Sequence, residues 1–193
     1  MYYKTIRFYR RVFIVFAILL GIFSPLFFLY KFPDFNPLTD PISTFGIKES
    51  TYIFWNFVIL VLSIAMVLNA LKAIIYHFKL RKTRLFLKSI LGVSSCSLML
   101  VALISMELNE QIHHLVAFIF FVGYNFFVFI FGLIRMYRSL RNGFFSVIMG
   151  SMMLLSTLLV LPFPSYGVFE IIYVFLVMVW NIVIFVKRVK KIG

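Results

Sequence analysis

Six apolar runs, each of roughly twenty residues and separated by short polar breaks, constrain this chain more than any other feature in it. As a helix, such a run reaches across the hydrocarbon core of a bilayer, about 30 Å, and a helix satisfies its own backbone hydrogen bonds there. The runs fall at about 12–30, 51–76, 85–107, 110–134, 143–161 and 166–186. They predict an all-α polytopic membrane protein with six transmembrane helices in one antiparallel bundle. Composition agrees, since 63% of residues are hydrophobic and only 13% charged. The charges cluster between the runs instead of striping them, so no soluble core is expected. Residues 1–193 therefore read as a single membrane domain. The first run is too long for the apolar part of a cleaved signal peptide.

Orientation follows from charge. Seventeen of the nineteen Lys and Arg residues lie at one end of the runs, and only Lys31 and Lys48 lie at the other. The positive-inside bias places both termini in the cytosol of a protein of the plasma (inner) membrane. All six acidic residues and all six prolines gather at the opposite, outer end. Orientation accounts for the net charge of +13, so the expected partner is membrane lipid and not nucleic acid.

Several local features carry their own expectations. Asn109 is placed to cap the fourth helix, and Ser24-Pro25 should kink the first. The small residues Ser89, Gly92, Ser94, Ser95 and Ser97 predict that the third helix is the most buried. Trp55 and Trp180 suit the interfacial belt. Cys96, a lone cysteine with no intrachain disulfide to make, reads as a packing residue.

The longest polar break, residues 31–50, is where chemistry is expected. Short turns would serve the topology, and a loop of about twenty residues calls for another explanation. Its prolines at 33, 37 and 41 predict a folded cap over the outer end, with Asp40 and Ser43 available to a ligand. Glu110, His113 and His114 share the start of the fourth helix, where Glu110 is within one turn of either imidazole. That pairing could orient a general base, or bind a metal through His113 or His114 with Glu110. Adjacent histidines point to different faces, so only one enters a shared site easily. The alternative is an interfacial histidine pair at a helix end. Glu170 lies inside the sixth run, where an acid is costly unless it faces protein or water.

The segments PxxDPISTFG at 37–46, YxFWN at 52–56 and HHLVAFIFF at 113–121 resemble a bacterial family of six-helix membrane proteins of unknown function. That family is similar in layout to the eukaryotic DRAM/Frag/Sfk group. The resemblance covers nearly the whole chain and implies a compact bundle concerned with lipid or membrane homeostasis. Its matching positions are Asp40, Ser43, Gly46, Asn56 and His114. A more distant likeness is to ceramidase-type membrane hydrolases, which use a serine, an aspartate and histidines around zinc. Those have seven helices and three histidines around one metal, whereas here only His113 and His114 share an end.

Taken together, the expected function is binding of a lipid or apolar ligand in an outward-facing polar pocket under the 31–50 loop, without a cofactor. One alternative is a membrane-embedded lipid hydrolase or transferase using Asp40, Ser43, Glu110, His114 and Glu170, with zinc as its possible cofactor. A proton-coupled carrier is a second alternative, disfavoured by the lack of charge at mid-membrane. No nucleotide-binding loop and no HExxH or GxSxG pattern occurs.

Overall fold

The computed structural model describes residues 2–104, 106–138, 140–163 and 165–190, with side chains except at 2–4, 7, 138, 141, 142 and 188–190. Pro164 and Lys191, which entered the sequence argument, lie outside the described residues. So do the side chains of Lys4, Arg7, Arg138, Arg141, Arg188 and Lys190.

Among the described residues, six helices follow one another: α1 (Tyr2–Lys31), α2 (Tyr52–His77), α3 (Arg81–Leu103), α4 (Glu110–Arg138), α5 (Leu140–Ser156) and α6 (Gly167–Lys190). α1, α2, α3, α4 and α6 each contain a segment long and apolar enough to cross a membrane, and the fifth such segment, Gly143–Val160, runs from α5 through the turn that follows it. Two short 3-10 segments, Ile42–Gly46 and Thr157–Val160, lie at the same end of the bundle. This is the end that carries the 31–50 loop and the acids, and it is called the loop end here. The basic clusters mark the other.

Helix ends follow local chemistry. Asn109 Oδ1 accepts from Ile112 N at 2.9 Å, the cap that the sequence predicts for α4. At the basic end the helices outrun their apolar cores. α1 starts ten residues before its apolar run and α3 starts inside the KLRKTR cluster, because long basic side chains favour helix and extend into water. α5 gives way to a 3-10 turn ahead of Pro162, whose ring would clash with an α-helical carbonyl four residues back. α1 runs as one helix through Pro25.

Consecutive helices pack as neighbours, and α6 closes the bundle against α2 and, sparsely, α1. The tightest join is α4 with α5. A Cβ on Gly150 would lie 2.8 Å from Phe129 Cβ, and one on Gly132 would lie 2.6 Å from Val147 N. Between α3 and α4, the buried Ser94 lies over Gly123.

In the interior, Asn69 of α2 donates to Asn181 O at 2.9 Å and to its Oδ1 at 3.2 Å. Asn181 in turn donates to Tyr124 OH at 2.7 Å. These bonds join α2, α6 and α4 among buried side chains, where a missing partner would be costly.

Three expectations are corrected. The most buried span is that of α2, half of whose apolar window is buried against 39% for α3. The reason is position: α2 meets α1, α3 and α6, whereas α3 packs mainly on α2 and α4. Trp180 is fully buried in the core instead of lying in an interfacial belt. Its indole N–H donates to Ser146 Oγ at 3.1 Å, and its ring meets Tyr124, Phe127 and Phe131 edge to face. Cys96 is exposed on α3 instead of lying buried as a packing residue.

Candidate functional site

The 31–50 loop folds back on the bundle in two steps. First, a turn closes over Asn36–Asp40, where Asp40 Oδ2 accepts from Asn36 N at 3.2 Å and Asn36 Oδ1 accepts from Leu38 N at 3.0 Å. Asp40 thus spends its carboxylate within its own turn. Then Pro41 opens the 3-10 turn, which drives Phe45 down between α1 and α2. Its ring centroid lies 4.8 Å from that of Phe28 and 4.7 Å from that of Phe35. Gly46 has no side chain because Trp55 occupies that space: a Cβ would lie 2.7 Å from Trp55 Cδ1.

The loop is fastened to α6 as well. Glu170 Oε2 accepts from Ile42 N at 2.8 Å and from Ser43 N at 3.4 Å, satisfying donors that the start of the 3-10 turn leaves free. One turn earlier, Gly167 meets the carbonyls of Pro37 and Asp40 where any Cβ would collide with them. Ser165 Oγ donates to Pro37 O at 3.4 Å. The hydroxyl of Ser43 points to Met106 Sδ at 3.6 Å, a weak acceptor.

The two histidines divide, as adjacent helical residues must. His113 is 5% exposed and its Nδ1 lies 2.7 Å from Ile104 O. A carbonyl only accepts, so Nδ1 carries the proton and His113 holds the chain just past α3. His114 faces the other way, with Nε2 3.5 Å from Glu110 Oε1. Its ring centroid is 6.1 Å from that of Tyr166, the residue just before α6.

His114 and Glu170, 56 positions apart in the chain, line one cleft. Its volume is about 530 Å³, and α4, the Thr157–Val160 turn and the start of α6 form its walls. Phe118, Phe121, Leu158 and Phe169 make most of its surface apolar, while His114, Thr157, Tyr166 and Glu170 supply its polar groups. The cleft lies beside the loop and not beneath it. The space directly under the loop is a separate apolar chamber across α6.

Of the sequence-predicted residues, Glu170 and Ser43 are therefore in contact, and His114 is brought to Glu110 and to the cleft of Glu170. Asp40 stays in its turn. Thr157, Tyr166 and Gly167 also belong to this region, beyond the residues that the sequence marks. Only the Tyr-Gly pair opening the sixth run carried a signal, since glycine at a helix start admits close backbone approach.

Chemically, the cleft offers a carboxylate-paired imidazole and a second carboxyl at the edge of an apolar groove. The Glu110–His114 pair makes two of the three or four donors that a protein zinc site uses. Among the described residues, no three His, Cys, Asp or Glu side chains gather closely enough to hold a metal ion.

A sequence profile described as "Protein of unknown function (DUF998)" matches residues 7–187. No curated protein and no solved structure matches the chain.

Proposed function

The chain belongs to the DUF998 family, whose function is unknown, and from that premise we propose that it is a lipid-binding protein of the plasma membrane. Its basic end faces the cytosol, and the cleft of α4, the Thr157–Val160 turn and α6 receives a lipid headgroup. The observation that carries this reading is the shared cleft of His114 and Glu170. Its polar groups sit at the loop end, where headgroups lie, and its apolar walls continue along α4. Glu110 and Glu170 bring hydrogen-bond acceptors, which favours a headgroup rich in donors, hydroxyl or ammonium, over a bare phosphate. The likenesses to the DRAM/Frag/Sfk group and to ceramidase-type hydrolases add nothing to this argument.

Native mass spectrometry of the purified chain, offered phosphatidylethanolamine, phosphatidylglycerol and phosphatidic acid, tests the proposal. Retention of the first two over the third, reduced several-fold in His114→Ala, is the expected result. Equal retention of all three, unchanged in His114→Ala, would overturn it.

The 3.5 Å contact of Glu110 with His114 favours one further reading, a lipid hydrolase or transferase in which the carboxylate orients the imidazole as general base. Zinc is the cofactor that this reading could use. Release of fatty acid from the retained lipid, abolished in His114→Ala, would establish it. Turnover indistinguishable between wild type and variant would remove it.

A further inference from the structure

The apolar chamber across α6 has about 380 Å³ of free space between α1, α2 and α6, roofed by Phe35, Ile42 and Phe45 of the loop. Ser24 and Trp55 are its polar lining residues, and among the described residues no charged side chain reaches it. Its floor is closed where Gly21 abuts Met178 and Leu62: a Cβ there would lie 2.7 Å from Met178 Cε. Its open side faces outward. Ile22 and Leu29 of α1 and Phe175 of α6 line it, yet are 46%, 47% and 65% exposed. All three belong to membrane spans, so the opening between α1 and α6 meets hydrocarbon. Those two helices touch only sparsely.

These features select the occupant. Water needs two to four polar partners, and this lining offers almost none. A charged headgroup would be buried without a counter-charge. Left empty, the chamber would forfeit the dispersion contacts of every wall. Hydrocarbon from the adjoining bilayer enters sideways without crossing a polar surface. We propose that the chamber holds one acyl chain of a membrane lipid, drawn in between α1 and α6 beneath the loop, with Trp55 against it. The chamber shares no lining residue with the cleft, so the proposal does not depend on the headgroup reading.

The chain's two tryptophans make the test direct. Trp55 lines the chamber, whereas Trp180 is fully buried in the core and serves as the internal control. Purified full-length protein is titrated with a fatty acid brominated along its chain, a contact quencher, and a Trp55→Phe variant defines the share of emission from Trp180. The expected result is saturable quenching of Trp55, reversed by the unbrominated acid. It should weaken several-fold in Val174→Phe, which fills the chamber from α6, and persist in His114→Ala. Non-saturating quenching, or quenching equal in a folded Val174→Phe protein, would overturn the proposal.

A fatty acid bearing a diazirine on its chain removes the dependence on any variant. Crosslinks to Ile59, Val174 and their chamber neighbours support the site. Crosslinks confined to outward residues such as Phe16 and Phe126, which line neither cavity, or a chamber found filled by a second copy of the chain, would refute it.

Discussion

Gly167 is the point at which the 31–50 loop crosses the start of α6, and its missing side chain leaves room for the carbonyls of Pro37 and Asp40. Gly167→Ala should therefore push the loop off its seat, lowering stability by about 1–3 kcal/mol, the usual range for overpacking against atoms that cannot swing aside. Gly92→Ala is the matched control, because a Cβ there meets nothing within 4 Å. It should be neutral, or stabilising by about 0.5–1 kcal/mol through helix propensity. Thermal melts in detergent, with limited proteolysis of the loop, distinguish the two. Equal melts would mean that the loop is not seated on α6. At this scale the sequence was legible where a residue's partner is local, as with Asn109 capping α4. It was mute where the partner is distant. An acid inside an apolar run marks Glu170 as unusual, but nothing in the run names Ile42 and Ser43 as what it binds. Trp180 is ambiguous in the sequence for the same reason, since an indole in a span suits both the interface and a core that supplies Ser146.

The elements themselves were legible because apolar run length is a property of the chain alone. Their bounds moved where helix propensity carried on beyond hydrocarbon, as at Tyr2–Arg11, or where a proline stopped it early, as before Pro162. How closely the elements approach is a different matter, set by which small residues face each other. The α4–α5 join depends on Gly132, Gly143 and Gly150, and a Cβ on Gly150 meets Phe129 at its backbone, Cα and N both 2.9 Å away. Gly150→Ala must part the two helices and should cost about 1–3 kcal/mol. Gly123→Ala meets chiefly the hydroxyl of Ser94, 2.5 Å away, with its Cβ at 3.5 Å. A rotamer change relieves that contact, so the loss should be smaller, about 1 kcal/mol or less. Chemical unfolding in mixed micelles ranks the pair. The reverse order would mean that the α4–α5 spacing is adjustable and the α3–α4 spacing is not.

For the whole molecule, the separation of charge along the bundle axis ties structure to orientation. Along the sequence, the acids and prolines fall at the loop-end side of the apolar runs and seventeen basic residues at the other. Translocating the basic end would carry each of those cations across hydrocarbon, whereas the short acidic turns cross with little resistance. Both cavities lie at the loop end, so the leaflet that would supply the proposed headgroup and acyl chain depends on which way that end faces. Cysteines introduced at Thr39 in the exposed turn and at Lys82 near the start of α3, in a Cys96→Ala background, convert this argument into a measurement. A membrane-impermeant maleimide applied to intact cells should modify Thr39→Cys at once and Lys82→Cys only after permeabilisation. The opposite pattern would reverse the protein in its membrane and move both sites to the cytosolic leaflet. That leaflet carries more anionic lipid, so the headgroup preference argued for Glu110 and Glu170 would then have to be sought among different lipids.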